Sequence, residues 1–342
     1  MSAPLLDVRG LVKTYTTGER LFGRGPAVRA VDGVDITVGK GEIVGLVGES
    51  GSGKTTLGRA ILRLVEPDAG QVTFDGIDVR ALKPKPMRQL RRRMQIVFQD
   101  PAAALNPRMK VKTLVGEPLK IHGLAAGAAL DARVGELLEE VGLDRDAAGR
   151  YPHEFSGGQK QRIGIARALG LRPDFVVCDE PVAALDMSVQ AQIVNLLAAL
   201  QRRHGIAYLF IAHDLAVVGH LCDRIAVMYL GRIVEEAPAP ALRDRPLHPY
   251  TQALFAAVPP PDPERARALR APLPGEIPSP LDVPPGCRFH PRCPLAVARC
   301  RTEEPALRAL AGGRRVACHL AEEIPAATAL APSAARSSAQ GD

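Results

Sequence analysis

One stretch decides the fold of this 342-residue chain: Ile43-Val44-Gly45-Leu46-Val47-Gly48-Glu49-Ser50-Gly51-Ser52-Gly53-Lys54-Thr55-Thr56. Residues 43–47 predict a buried strand, and residues 48–55 fit the pattern G-x-x-x-x-G-K-[ST]. Leu57, Ile61 and Leu64 then follow at helical spacing. Glycines in such a strand–loop–helix unit let backbone N–H groups converge on phosphate oxygens at a helix N-terminus. Residues 48–55, the phosphate loop, are therefore predicted to bind a nucleotide.

A second predicted strand supplies the acids that such a site needs. The apolar residues 175–178 run into Asp179-Glu180, which places two carboxylates at the carboxyl edge of a sheet, where α/β proteins bind ligands. Lys54 is expected to bridge the β- and γ-phosphates, and Mg²⁺ is expected to be held by Thr55 and, through water, by Asp179. Glu180 is expected to polarise the attacking water as a general base.

Composition sets broad limits. The chain is 46% hydrophobic and 24% charged, which gives a sizeable core and excludes disorder for its bulk. It contains no uncharged apolar run of 18 residues and no secretory signal pattern, so we expect a cytosolic protein. The net charge of +7 selects no partner, and the 4% aromatic content without Trp argues against a base-stacking surface.

The sequence changes in character along its length. From Leu6 to Pro238 short apolar runs alternate with amphipathic patterns, which is typical of an α/β domain with a largely parallel sheet. Residues 124–150 predict a helical insert, and the prolines of residues 259–285 predict an extended linker. We therefore expect a nucleotide-binding domain at 1–240 with a helical part at about 100–165. An extension with four cysteines would follow at 241–325, and a disordered tail at 326–342.

The order of five features identifies a family. After the phosphate loop come Gln99 behind a strand, Ser156-Gly157-Gly158-Gln159 at the start of a helix, the Asp179-Glu180 pair, and His213 at the end of another strand. This order resembles the ATP-binding cassette (ABC) ATPases over essentially Leu6 to Pro238. The resemblance implies a mainly parallel core sheet, an antiparallel N-terminal β part and a helical subdomain.

The resemblance also implies roles for individual residues. The signature segment, Ser156 to Gln159, would complete the ATP site of an opposing subunit in a head-to-tail dimer. Among the others, Tyr15 would stack on adenine, Gln99 would sense Mg²⁺ and water, Asp186 would be the D-loop acid, and His213 would contact the γ-phosphate. Because Lys54, Asp179, Glu180 and His213 are all present, a scaffold with a dead ATP site is disfavoured.

Three further segments are similar to the ATPases of oligopeptide and dipeptide importers: residues 99–109, 188–192 and 248–254. The form Asn106-Pro107-Arg108-Met109 resembles the second (F-type) ATPase subunit, and the subfamily also includes nickel importers. The resemblance implies a peripheral protein on the cytoplasmic face of the inner membrane. Its partners would be a second ABC ATPase as a heterodimer, two permeases and an extracytoplasmic binding protein. The alternative is a soluble ABC ATPase associated with nucleic acid or ribosomes. It is disfavoured because the chain has a single cassette without long insertions, so no nucleic acid is expected.

Four of the six cysteines lie close together in sequence: Cys287, Cys293, Cys300 and Cys318. Four thiolates within about thirty residues could hold one tetrahedral metal or one cluster. The resemblance implies a [4Fe–4S] cluster. Zinc and reduced structural thiols remain as alternatives.

Overall fold

The computed structural model describes residues 3–16, 26–213, 215–257, 275–276 and 278–324. The strands in these segments are β1 (Leu6–Thr16), β2 (Ala27–Val38), β3 (Ile43–Val47), β4 (Ala69–Phe74), β5 (Ile77–Asp78), β6 (Met94–Val97), β7 (Phe175–Asp179), β8 (Ala207–Ala212), β9 (Arg224–Tyr229), β10 (Arg232–Pro238), β11 (Arg308–Leu310) and β12 (Arg314–Val316). The helices are α1 (Lys54–Ile61), α2 (Pro84–Leu90), α3 (Pro101–Ala104), α4 (Val111–Ile121), α5 (Gly127–Glu140), α6 (Gly157–Leu169), α7 (Met187–His204), α8 (Leu215–Leu221), α9 (Ala239–Asp244), α10 (Pro249–Ala256) and α11 (Ala298–Thr302).

The larger sheet has the strand order β11-β12-β10-β9-β3-β8-β7-β6. Pairing from β9 to β6 is parallel, and β10, β12 and β11 join antiparallel. The parallel strands β3, β7 and β8 end side by side at Val47, Asp179 and Ala212. The predicted α/β class is confirmed, and this edge carries the phosphate loop, Glu180 and His213.

A second, antiparallel sheet with the order β2-β1-β4-β5 covers one face of the first. Helix α1 lies between the two sheets, and its Leu57 and Ile61 are buried in the core that they share. At Gly58 an added Cβ would lie 2.9 Å from a Val177 methyl. The absence of a side chain there lets α1 pack closely on β7, which fixes the start of the helix above the sheet edge.

The predicted helical part consists of α3 to α6. Its core includes Leu114 and Leu119 from α4, Val134 and Leu138 from α5, and Ile163 from α6. The insert expected at residues 124–150 is found as α5 and a short 3₁₀ turn. None of the described helices is long and apolar enough to cross a membrane.

The C-terminal extension continues the larger sheet. Strand β12 pairs with β10, with Val316 opposite Glu235, and β11 pairs with β12. The extension is thus built onto the edge of the nucleotide-binding sheet. Most of the predicted proline-rich linker and the whole of the predicted tail at 326–342 lie outside the described residues.

Candidate nucleotide site

Two glycines give the phosphate loop its shape. Gly48 (φ +155°) and Gly53 (φ +106°) hold left-handed backbone conformations. A Cβ would lie 2.1 Å from the Met228 carbonyl oxygen at Gly48 and 2.0 Å from that of Ala30 at Gly53. Any side chain here would therefore displace the loop from the β9 and β2 backbones.

Lys54 points back into the phosphate loop. Its Nζ donates to the carbonyl oxygens of Gly48 at 2.7 Å and Glu49 at 3.0 Å, and the residue is 4% exposed. Burial lowers its pKa, an effect opposed by the nearby carboxylates of Glu180, Asp179 and Glu49. The ammonium is thus a desolvated cation at the centre of the loop, which suits it to an anionic ligand.

Asp179 meets Thr55 at the edge of the sheet. The Thr55 hydroxyl donates to Asp179 Oδ1 at 2.8 Å. Asp179 Oδ2 is buried without a hydrogen bond within the described part of the chain, and Arg59 Nη2 lies 3.8 Å from it. Burial raises the pKa of this carboxyl group, against the hydrogen bond from Thr55. A hydroxyl and a buried, underbonded carboxylate are hard oxygen donors, so these residues fit Mg²⁺.

The Glu180 carboxylate lies between the side chains of Gln99 and His213. Gln99 Nε2 donates to Glu180 Oε2 at 2.9 Å, and His213 Nδ1 lies 3.7 Å from the same oxygen. Glu180 has a φ of +44°, unusual for a residue with a side chain, and its N–H donates to the Ile211 carbonyl at 3.0 Å. Backbone strain of this kind is concentrated at functional sites. The hydrogen bond from Gln99 and the approach of His213 bring all three predicted catalytic residues together around the Glu180 carboxylate.

The signature segment lies at the start of α6, against the segment around Asp186 (the D-loop) of its own chain. The Ser156 hydroxyl accepts from the Gln159 N–H, and the Gln159 Oε1 accepts from the Ser156 N–H, which together form a capping box. An added Cβ would meet the Leu185 side chain at Gly157 and the Val189 side chain at Gly158. Asp186 caps α7 by accepting from the Val189 N–H at 3.0 Å. These contacts join the signature segment to the D-loop. Among the described residues, neither segment is seen in contact with the phosphate loop of the same chain.

Tyr15 lies near the end of β1 in the antiparallel sheet. It is 40% exposed, and Lys13 Nζ lies 5.6 Å from its ring centroid. The exposed ring is compatible with stacking on a base, which stays a prediction.

Sequence reasoning missed two residues that reach the phosphate loop from the C-terminal extension. Arg292 forms a double ion pair with the Glu49 carboxylate, and the Tyr250 hydroxyl accepts from the Glu49 N–H. Tyr250 lies in residues 248–254, which are similar to peptide-importer ATPases but carry no local sign of a contact with the phosphate loop. The only local signal for Arg292 was its position next to Cys293.

The four clustered cysteines line one cavity of about 10 Å³. Burial raises the pKa of the Cys293 thiol to about 12 and that of Cys318 to about 11. Among the described residues, however, no group of three or more His, Cys, Asp or Glu side chains has a geometry that could hold a metal ion. The thiols are gathered as predicted, but their arrangement does not fit a [4Fe–4S] cluster or zinc, so that prediction is not supported.

Comparison with protein families gives two matches. The model for "ABC transporter" matches residues 31–183, and the model for "Oligopeptide/dipeptide transporter, C-terminal region" matches residues 234–300. The first match contains the phosphate loop, Gln99, the signature segment and Glu180. The second contains Tyr250, Arg292 and three of the clustered cysteines.

Several curated proteins resemble the chain over nearly their whole length. A putative peptide import ATP-binding protein of Brucella ovis is 55% identical over 92% of this chain and 97% of that protein. A probable peptide ABC transporter ATP-binding protein of Sinorhizobium fredii is 52% identical over 98% and 94%. The oligopeptide transport ATP-binding protein AppF of Bacillus subtilis is 48% identical over 92% and 97%.

Solved structures give the same fold. The cassette MJ0796, solved as a dimer in a post-hydrolysis state with ADP and Pi, has a TM-score of 0.61 and 30% identity, covering 68% of this chain and 98% of its own. The cbiO1 protein of Clostridium perfringens, part of the ABC transporter complex cbiONQ, has a TM-score of 0.60 and 26% identity, covering 70% and 91%.

Proposed function

The chain belongs to the ABC transporter ATP-binding proteins and is an ATP-hydrolysing transporter subunit, and from this premise we propose that it drives the import of di- or oligopeptides. The observation that carries the ATP-hydrolysis part of the proposal is the meeting of Thr55 with Asp179 and of Gln99 with Glu180 at one sheet edge. The names of the relatives and the match of residues 234–300 support peptides as the cargo. Nucleic acid or ribosome association finds no support in these comparisons.

The phosphate loop and α1 bind ATP in this proposal. The first N–H groups of α1 lack intrahelical acceptors and face the phosphates, with the Lys54 ammonium turning from the loop carbonyls to the β- and γ-phosphates. The remaining contacts are assigned to Gly48 to Thr56 of the loop and to Tyr15 at the base. Thr55, Gln99 and Asp179 would hold Mg²⁺. When bound, the ion would neutralise charge on the transferring phosphoryl group.

Glu180 performs the proton transfer in the same proposal. It accepts a proton from water as the water oxygen bonds to the γ-phosphorus, and the bond from that phosphorus to the β–γ bridging oxygen breaks. Gln99 keeps the carboxylate turned toward the water, and His213 contacts the γ-phosphate beside it. Positioning and electrostatic stabilisation are the terms on which phosphoryl transfer mainly depends.

The signature segment acts on a second subunit. Ser156, Gly157, Gly158 and Gln159 begin a helix, and all of them except the buried Gly158 are exposed, so the N–H groups of this helix start can face the ATP of the opposing chain. Asp186, which directly follows Leu185 and accepts from the Val189 N–H, couples this segment to the dimer contact. The opposing chain is proposed to be a second, related ATPase.

The importer would also contain two permeases and an extracytoplasmic binding protein, with this chain peripheral at the cytoplasmic face of the inner membrane. The test is affinity purification of the tagged full-length chain from detergent-solubilised native membranes, followed by mass spectrometry. Recovery of two permeases and a second ATPase is the expected result. Recovery of nucleic acid or ribosomal proteins without permeases would overturn the proposal.

Uptake assays then test the cargo. A strain lacking the gene should lose uptake of a labelled peptide, and wild-type protein should restore it. Lys54→Ala should not restore it, whereas the exposed-surface variant Lys112→Ala should. Restoration of nickel uptake in place of peptide uptake would refute the peptide assignment but leave the transporter assignment intact.

The clustered cysteines form a separate proposal, in which Cys287, Cys293, Cys300 and Cys318 hold a [4Fe–4S] cluster. It is supported by the four donors around one cavity and requires them to move from the arrangement described above. Anaerobic purification with iron, sulfide and zinc analysis tests it. Four irons and four sulfides per chain are expected. Stoichiometric zinc, or neither metal, would refute it.

A further inference from the structure

Glu49 of the phosphate loop is tied to the C-terminal extension by its side chain. Arg292 Nη1 lies 2.8 Å from Glu49 Oε2, and Arg292 Nη2 lies 3.0 Å from Oε1. This is the bidentate geometry that guanidinium and carboxylate groups adopt, and it fixes orientation as well as distance. The pair spans 243 positions of sequence, so it exists only because the extension folds back onto the nucleotide-binding domain.

The backbone of Glu49 is held as well. Its N–H donates to the Tyr250 hydroxyl at 2.8 Å, and its carbonyl oxygen accepts from Lys54 Nζ at 3.0 Å. Glu49 is thus fixed at three groups, two of them by the extension. The third group, the Glu49 carbonyl oxygen, is held by the Lys54 ammonium, which is proposed to meet the phosphates. A shift of Glu49 would therefore move a carbonyl that competes for Lys54.

Arg292 is rigidly placed. Its side chain is 4% exposed, and its guanidinium carbon lies 5.9 Å from the Phe289 ring centroid. Phe289, Tyr250 and Tyr229 pack together with ring centroids 4.6 to 5.5 Å apart. A planar group held on an aromatic cluster loses little further freedom when it pairs with a carboxylate. The extension therefore presents Arg292 to the loop as a preformed contact.

Charge gives the pair its consequence for ATP. An unpaired Glu49 carboxylate in the loop would repel the phosphates, and because its side chain is only 21% exposed, water would screen this repulsion incompletely. Arg292 cancels that charge without occupying the phosphate position itself. It also holds Glu49 so that the loop carbonyls keep their register with Lys54.

From these contacts we infer that Arg292 is a positioning residue of the ATP site: the C-terminal extension completes the phosphate loop through the Arg292–Glu49 pair. The inference rests on the proposed assignment of residues 48–56 to ATP. ATP affinity then depends on the C-terminal extension, which lies outside the ATP-binding cassette. Because Arg292 directly precedes Cys293, it also depends on the segment that carries the clustered cysteines. Displacement of the cysteine segment would then weaken ATP binding.

The test uses the full-length chain and compares Arg292→Ala, Arg292→Lys, Glu49→Gln and the double variant Glu49→Gln/Arg292→Ala. The matched control is Arg299→Ala, since Arg299 is an exposed arginine of the same segment that pairs with Glu303. ATP dissociation constants are measured by calorimetry, KM and kcat by phosphate release, and the melting temperature by circular dichroism. Lys54→Ala reports separately on the ATP assignment.

Arg292→Ala should weaken ATP binding and raise KM roughly tenfold or more, as expected for loss of a charge-assisted pair. Its kcat at saturating ATP should stay within about threefold, since Arg292 does not touch the reacting atoms. Arg292→Lys should fall between, because it keeps the charge and loses the bidentate geometry. Glu49→Gln in the Arg292→Ala background should restore most of the affinity, and Arg299→Ala should match wild type.

Wild-type affinity in Arg292→Ala would overturn the inference, and so would a double variant as weak as Arg292→Ala alone. If Arg292→Ala has a lower melting temperature than wild type, the ATP dissociation constants of Arg292→Lys and Glu49→Gln test the role of the pair instead. A Lys54→Ala protein that binds ATP normally would instead refute the ATP assignment.

Discussion

Gln99 and Glu180 are joined by a hydrogen bond of 2.9 Å from the Gln99 amide to the Glu180 carboxylate, across 81 positions of sequence. The two residues follow neighbouring parallel strands, β6 and β7. Gln99 leads directly into α3 and the helical part of the chain. Motion of that helical part would therefore change the orientation of Glu180, which gives a physical route between a partner bound there and ATP hydrolysis.

Replacement of Glu180 by Gln should separate ATP binding from hydrolysis. The amide cannot take a proton from water, so turnover should fall by about a hundredfold or more. The Gln side chain keeps its size and an acceptor for Gln99, so the ATP dissociation constant should stay within about threefold. Single-turnover phosphate release and calorimetry with ATP measure the two quantities.

Glu323→Gln provides the control, since this carboxylate is exposed in the C-terminal extension and should leave turnover unchanged. Near wild-type hydrolysis by Glu180→Gln would refute Glu180 as the base. Loss of ATP binding by Glu180→Gln would show instead that this carboxylate shapes the pocket.

The two signature glycines should respond differently to substitution. Gly157 is exposed at the first position of α6, where Asp favours the helix through its positive N-terminal end. A Cβ at this position would lie 3.2 Å from a methyl at the end of the Leu185 side chain, so Gly157→Asp should lower the melting temperature only slightly and preserve ATP binding by the isolated chain. Its negative charge should repel the ATP of an opposing subunit and abolish ATP-dependent dimer formation, measured by light scattering in the Glu180→Gln background.

Gly158→Ala supplies the contrasting case. Its Cβ would lie 2.4 Å from a Val189 methyl, so it should cost about 1–3 kcal/mol of unfolding free energy. A Gly157→Asp protein that still dimerises with ATP would contradict the placement of the signature segment at a trans ATP site.

The ion pairs of Asp32 should anchor the extension to the antiparallel sheet. Asp32 is 5% exposed on β2. It accepts from Arg288 of the extension and from Arg232 at 3.2 Å. Asp32→Asn removes one of the two carboxylates that contact Arg288 and Arg232 and leaves them Glu304, at 3.6 and 3.0 Å, so it should cost roughly 1–3 kcal/mol of unfolding free energy. Urea unfolding measures the loss, and limited proteolysis should cut the extension faster.

The exposed Asp282→Asn is the matched control in the extension. Equal stability of Asp32→Asn and wild type would mean that the other contacts of the extension, among them β12 pairing and the Arg292–Glu49 pair, hold it without Asp32. That result would mean that the Asp32–Arg288 pair adds little net stability, because the cost of desolvating the two charges offsets their attraction.

Strand ends made much of the site predictable. Asp179, Glu180 and His213 follow apolar strands, and parallel strands bring such positions to one edge. Arg292 could not be found this way, because its pairing with Glu49 depends on how a segment 243 positions away docks. The cysteine spacing correctly predicted thiols near one another. It carries no information on the positions of the sulfur atoms, which decide whether a metal is held.

The buried imidazole of His248 should make the stability of the extension depend on pH. It is 2% exposed, and its Nδ1 accepts from the Tyr250 N–H at 3.0 Å. The ring also bonds the Ala317 backbone, and burial lowers the pKa to about 3 from 6.5. Glu235 faces the same turn and accepts from the His248 N–H at 2.8 Å. Protonation of Nδ1 would put a cation in the core and break the bond to Tyr250.

Stability should therefore fall in mild acid. Between pH 6.5 and about 3 the unfolded chain binds a proton at His248 that the folded chain does not. The contribution is complete above pH 6.5 and is lost as the pH falls, by at most about 1.4 kcal/mol per pH unit. His248→Gln, which cannot titrate, should lose roughly 2 kcal/mol less than wild type between pH 7 and pH 5 in urea unfolding. The exposed His153→Gln should keep the wild-type slope. Equal slopes for wild type and His248→Gln would show that His248 takes up its proton in the folded chain, and that the extension does not depend on a neutral imidazole.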